Sequence, residues 1–241
     1  MALDLAPEHI GDAASDRPWW RQRWGELTIG YALCYAVGIG FAELVRRAGR
    51  WDLGLPWERA MLVRIHVHLP ELLDRSTLIF PWFGTSISLI PCVLLLCWWL
   101  WRREHQPHAA MRLGIVQLGA YILNPALKGM FGRARPDLFP RRGWYGWSSY
   151  PSGHAIASVS VLVTLAIILY HVKGWLWPYY VLLPIMVISL FSRLYLGVHW
   201  PTDVFGGALV GLVWLGVTTV AFRGEWREER GEGRDPPSNR A

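Results

Sequence analysis

The chain has 241 residues, of which 53% are hydrophobic and 17% charged, with a formal net charge of +6. A soluble domain carries about 25% charged residues, so the deficit speaks against a disordered chain and an ordinary cytosolic enzyme. The 24 basic residues are scattered without a block of like charges, so no nucleic-acid-binding arm is expected.

Residues 1–26 are polar and acidic without an apolar centre, unlike a cleaved signal peptide, and are expected to form a cytoplasmic segment. Six stretches then approach the roughly 20 apolar residues a bilayer-spanning helix needs: 27–45, 78–101, 109–130, 155–170, 175–198 and 204–222. Arg112 and the pair Asn124, Pro125 interrupt the third. Too little polar sequence remains to cover six buried helices in water. The predicted fold is therefore all-α: a polytopic membrane protein with six transmembrane helices in one bundle over residues 27–222. The 16 tryptophans fit its interfaces. Between the first two spans, residues 51–75 carry Trp57, Met61 and Ile65 at four-residue spacing, which predicts a short amphipathic surface helix. Residues 223–241 are charged and rich in Gly and Pro, and read as a flexible cytoplasmic tail. Cys34, Cys92 and Cys97 sit in apolar runs, which predicts neither a disulfide framework nor a zinc cluster.

Charge alone barely orients this bundle. With both termini on one side, each face holds 12 basic residues. Setting aside Lys128, Arg135 and Arg193 gives 12 against 9, weakly favouring cytoplasmic termini.

Three clusters of reactive residues fall on the face opposite the termini. Lys128 and Arg135 lie at the end of the third span, seven residues apart, and Pro136 predicts that the helix stops nearby. Two cations there suit an anionic head group, or simply snorkel to the interface. Arg133 between them reads as a loop residue. Pro151, Ser152, Gly153 and His154 read as a helix start, with Ser152 as N-cap and free N–H groups able to bind an anion. An incidental His beside a good cap is the bland alternative. Ser192, Arg193, His199 and Asp203 bracket the junction of the fifth and sixth spans. A carboxylate near a histidine can fix its tautomer and stabilise its charge, although an interfacial His near a helix-terminal Asp would look the same. Three cations, a helix N-terminus, two histidines and one carboxylate together match phosphoryl transfer. No cofactor is required and no metal cage is evident; His66 and His68 are not read as one.

These clusters resemble the signature of the type 2 phosphatidic acid phosphatase superfamily, which includes class A acid phosphatases and vanadium haloperoxidases. Lys128, six residues, then Arg135 and Pro136 form the first motif. Pro151 to His154 is the second, and Ser192, Arg193, five residues, His199, three residues, Asp203 the third. The resemblance implies that His199 is the nucleophile and forms a phosphohistidine. It implies that Asp203 orients His199 and that His154 is general acid, then general base. Lys128, Arg135, Ser152, Gly153 and Arg193 would bind phosphate. It further implies a six-helix core with the site near the outer leaflet of a bacterial inner membrane. The implied substrate is a lipid phosphate or diphosphate: undecaprenyl diphosphate, phosphatidylglycerophosphate, phosphatidic acid or a lipid A phosphate. Residues 51–75 could wall a lipid entrance, with Trp144, Tyr145, Trp147 and Tyr150 on the opposite rim. A phosphotransferase, a vanadate-dependent oxidase and a non-enzymatic transporter or scaffold are the competing readings.

Overall fold

A computed structural model describes residues 19–68, 84–139 and 146–223, and among these residues every regular element is a helix. There are seven: α1 (Trp19–Arg47), α2 (Pro56–His68), α3 (Ser86–Arg102), α4 (Pro107–Phe131), α5 (Gly153–Lys173), α6 (Trp177–Tyr195) and α7 (Pro201–Ala221). Proline at the start of α4, α6 and α7 fits positions where no backbone N–H is needed. Glycines in left-handed conformation close α4 at Gly132 (φ 59°) and α5 at Gly174 (φ 70°). Within α5 one π-helical turn, Ser158–Leu162, separates two α-helical stretches.

Four segments are long and apolar enough to cross a bilayer: Arg23–Arg47, Gly153–Lys173, Trp177–Tyr195 and Pro201–Ala221. α3 is apolar but shorter. α4 has the length, at 25 residues, but its face carries Arg112, Gln117, Asn124 and Lys128. The expected spans thus all coincide with helices where described, and residues 78–83 of the second lie outside the described residues. Residues 1–18, the tail beyond 223, Trp144 and Tyr145 lie outside them as well.

α7 runs through the middle of the bundle, against α1 on one side and the start of α5 on another. Leu113, Val116, Leu123 and Leu127 of α4 meet Ile156, Val210 and Trp214 in the main core. A smaller cluster of Leu62, Ala155, Leu194, Trp200 and Val204 ties α2 to the ends of α5, α6 and α7. Close approach of α7 to α5 depends on glycine. A Cβ at Gly207 would stand 2.4 Å from the Ser152 carbonyl oxygen, and one at Gly211 2.9 Å from that of Ile156. Small residues let helix backbones meet in this way inside membranes. Gly207→Ala should therefore cost about 1–3 kcal/mol, because the obstructing atoms are backbone and cannot rotate away. A lowered thermal midpoint in detergent would show this, and an unchanged midpoint would mean that the α5–α7 contact is loose.

Of the surface segment, Pro56–His68 is helical and residues 69–75 lie outside the described residues. Glu58 and Leu62 are buried, whereas Trp57 and Met61 of the predicted stripe are exposed and Ile65 is only half-buried. A buried carboxylate, not an apolar stripe, marks the inner side of α2.

Candidate active site

Each sequence motif delivers its side chains from a different element, and all of them converge at one end of the bundle. α4 ends at Phe131, and the Gly132 N–H closes on the Lys128 carbonyl. The helix therefore stops before Arg135, and the two cations meet through a loop instead of along one helical face. Lys128 Nζ donates to the Ser148 carbonyl at 2.8 Å, and Arg135 Nη2 to the same oxygen at 3.1 Å. Arg135 also donates through Nε to Gly146 O at 2.7 Å and through Nη1 to Val198 O at 2.6 Å. The guanidinium thus clamps the loop before α5 to the connection that carries His199.

At the start of α5, Ser152 occupies the N-cap position, but its hydroxyl makes no capping bond and is buried without a partner. Its backbone N–H donates to Asp203 O at 3.0 Å. Gly153 packs so tightly on Asn124 of α4 that a Cβ would stand 2.5 Å from Nδ2. Arg193, in the last turn of α6, is buried, and its Nε donates to the Ser192 hydroxyl at 3.3 Å.

His199 lies in the short α6–α7 connection and is 4% exposed. Its Nε2 is 3.4 Å from Arg135 Nη1, and its Nδ1 is 3.6 Å from Asp203 Oδ2. A guanidinium nitrogen can only donate, so Nε2 carries the lone pair and the proton sits on Nδ1, towards Asp203. Burial, then the charges of Lys128, Arg135 and Arg193, hold the imidazole well below its usual titration range. It is a neutral ring with its lone pair among cations. Asp203, in the first turn of α7, accepts from the Trp200 N–H at 2.8 Å through Oδ2 and from Arg133 Nη1 at 2.7 Å through Oδ1.

Lys128, Arg135, Gly153, His154, Arg193 and His199 line a cavity of about 260 Å³, with Gly84, Thr85, Ile87, Ala120, Asn124 and Ala157 completing its wall. Three cations and no acid face it, which is the donor set of an anion and not the oxygen cage of a divalent metal. Ser152 and Asp203 stand behind the wall.

Sequence reading missed three groups. Asn124 seemed only to interrupt a span, yet it lines the cavity with its Oδ1 buried and unbonded. Arg133 does lie in a loop, but its side chain is fully buried. Glu58, on α2, reaches Arg133. The run Gly132, Arg133, Ala134, Arg135 held the signal for Arg133, whereas nothing local marked Glu58. Tyr150 belongs elsewhere than the expected rim: it is fully buried, with its hydroxyl donating to Gly38 O of α1 at 2.7 Å. Trp147 is exposed, as a rim residue would be.

Residues 109–227 match the model of the PAP2 superfamily. The chain is 27% identical over 167 residues to YbjG of Escherichia coli (strain K12), a protein provisionally named an undecaprenyl-diphosphatase, across 64% of this chain and 80% of that one. It is 34% identical over 97 residues to phosphatidylglycerophosphatase B of Bacillus subtilis (strain 168), across 38% and 47% of the two chains. The crystal structure of a transmembrane PAP2-type phosphatidylglycerolphosphate phosphatase from Bacillus subtilis has the same fold, with a TM-score of 0.67 at 22% identity, covering 80% of this chain and 96% of that one. The motif-bearing segment, residues 109–227, belongs to the PAP2 superfamily, and the chain is a phosphoric ester hydrolase.

Proposed function

We propose that the protein is an integral membrane lipid phosphatase that removes phosphate from a lipid phosphomonoester or diphosphate through a phosphohistidine on His199, without a metal. The observation that carries this reading is the lone pair of His199 Nε2, held neutral and facing a cavity of three cations. Lys128, Arg135, Arg193 and the N–H groups at the start of α5 take up the charge of the phosphoryl oxygens. His199 Nε2 forms a bond to phosphorus as the phosphorus–oxygen bond to the lipid breaks. His154 gives its proton to the departing oxygen. The positive charge that grows on His199 is stabilised by Asp203 at Nδ1. Water then loses a proton to His154 and attacks phosphorus, the nitrogen–phosphorus bond breaks, and inorganic phosphate leaves.

Ile87, Ala120 and Ala157 give the cavity an apolar side next to its cations, which suits a phosphate borne on hydrocarbon. The names of YbjG and of phosphatidylglycerophosphatase B support undecaprenyl diphosphate and phosphatidylglycerophosphate as substrates. In the proposed arrangement α1, α3, α4, α5, α6 and α7 span the membrane, and α2 lies on its surface as one wall of the entrance. Both termini are then cytoplasmic, residues 27–222 form the catalytic domain, and the site faces the exterior of the inner membrane.

Purified protein in detergent should release phosphate from undecaprenyl diphosphate and phosphatidylglycerophosphate with EDTA present, and far more slowly from water-soluble sugar phosphates. Loss of activity in EDTA would remove the metal-free mechanism, and a preference for sugar phosphates would remove the lipid.

The electrostatics of His199 also predict the pH profile. The nucleophile must be neutral, and its titration range is depressed. Acid protonates it only below its ordinary value of about 6.5. After correction for substrate ionisation, kcat/KM should hold through pH 6.5 and fall below it. An acid limb at or above 6.5 would contradict the proposed protonation state.

A further inference from the structure

Behind the cavity wall lies a charged cluster of which the proposed mechanism uses only Asp203. Glu58, Arg133 and Asp203 are each fully buried. Arg133 Nη2 is 3.0 Å from Glu58 Oε2, and its Nη1 is 2.7 Å from Asp203 Oδ1. Arg133 Nη1 also donates to the Thr202 hydroxyl at 2.7 Å, and Nε to Trp51 O at 2.8 Å. Glu58 Oε1 accepts from the Thr202 N–H at 3.1 Å and from its hydroxyl at 2.6 Å, while Oε2 also accepts from Leu55 N–H at 2.7 Å. Every hydrogen-bonding direction of the carboxylate is thus fixed. Two carboxylates share one guanidinium, so the cluster carries one net negative charge behind His199.

We propose that Glu58 and Arg133 are positioning residues that set the aim and the negative field of Asp203 on His199 Nδ1, so that helix α2 completes the catalytic machinery from outside the cavity. This rests on the proposed role of His199 as nucleophile. Asp203 is held at both oxygens, by Arg133 and by the Trp200 N–H, which fixes the plane it presents to the imidazole. Without Glu58, the whole charge of Arg133 falls on Asp203, and its field at His199 weakens. Attack on phosphorus leaves positive charge on the ring, so a weaker field raises the barrier to that step. The phosphate ligands are untouched, so binding is spared. The charged groups facing His199 are Lys128 of α4, Arg135 of the loop, His154 of α5, Arg193 of α6 and Asp203 of α7, and Glu58 of α2 acts through Arg133.

The test is a double-mutant cycle of Glu58→Gln and Asp203→Asn on full-length protein in detergent, with monodispersity and thermal midpoint checked. Glu58→Gln keeps the side-chain shape and removes the charge. It should lower kcat about tenfold, leave KM within about twofold, and move the acid limb of kcat to lower pH, because His199 loses a nearby negative charge. In the Asp203→Asn background the same change should alter kcat less than about twofold. A folded Glu58→Gln with unchanged kcat and pH profile overturns the proposal. So does an equal loss with and without Asp203, the mark of a purely structural staple. If Glu58→Gln does not fold, Glu58→Asp, whose shorter reach withdraws charge from Arg133, should lower kcat in part at constant KM; no change would again overturn it. The titration of ¹⁵N-labelled His199 by NMR needs no turnover. A lower midpoint in Glu58→Gln supports the coupling even if the wild type releases no phosphate, an outcome that refutes the proposed function alone; an unmoved midpoint refutes the coupling.

Discussion

Replacing His199 with alanine is expected to lower phosphate release by at least about 10⁴-fold while the protein remains folded. In the proposed mechanism this ring supplies the atom that bonds to phosphorus, and its Nε2 lies among the cations of the cavity. His154 lines the same cavity and is the proposed proton donor, so His154→Ala should be milder with a substrate whose leaving group needs no proton. His199 is small relative to the cluster around it, and Arg135 stays anchored by the carbonyls of Gly146, Ser148 and Val198. The variant should therefore keep its thermal midpoint and bind substrate lipid with ordinary affinity. Retention of more than about a hundredth of the activity would place the nucleophile elsewhere.

The largest expected loss of stability follows from Arg133→Met. Arg133 stands between two buried carboxylates and touches Trp51 as well, with its guanidinium carbon 4.6 Å from the indole centroid. Methionine fills part of the volume but leaves Glu58 and Asp203 without their counter-charge. Breaking a buried pair from one side costs about 3–5 kcal/mol, because the remaining charge has neither water nor counter-charge. The thermal midpoint should fall by about 10 °C in a chain of this size. Adding Glu58→Gln should recover part of that loss, since one of the two stranded charges is then gone. If Arg133→Met melts like the wild type, the cluster is not the charged network the distances describe. The same change should spare affinity for phosphate, because Arg133 does not line the cavity.

Much of the site was legible in the sequence because its parts are short and local. Lys128, Arg135, Gly153, His154, Arg193 and His199 all reach one cavity, with Ser152 and Asp203 directly behind it. Their spacing matters because helix ends deliver them. α4 stops at Gly132, α5 starts at Gly153, and α7 starts at Pro201. Apolar runs located the helix ends to within three residues except at the starts of α1 and α3, each eight residues from the expected position.

The illegible parts share one cause. Arg133 and Glu58 are separated by 75 positions, and each looks like an ordinary surface charge within its own segment. Only the fold pairs them, and only the pairing makes their burial tolerable. Helical periodicity counts apolar side chains and so marked the exposed face of α2 carrying Trp57 and Met61, but it is blind to the buried side, where a carboxylate leads the docking. Tyr150 misled for a related reason. An aromatic at a motif's edge suggests a membrane belt, but its hydroxyl had an acceptor in α1, more than one hundred residues away, at Gly38. The Ser152 hydroxyl failed to cap because Ser152 is fixed from its backbone by Asp203.

The most direct measurement is rapid quench of the wild-type enzyme into alkali during turnover of a lipid diphosphate, followed by peptide mass spectrometry. The account predicts a base-stable, acid-labile phosphoryl group on His199 that forms and decays at rates compatible with kcat. Turnover with no phosphorylated residue, or with phosphate on any other side chain, would contradict it.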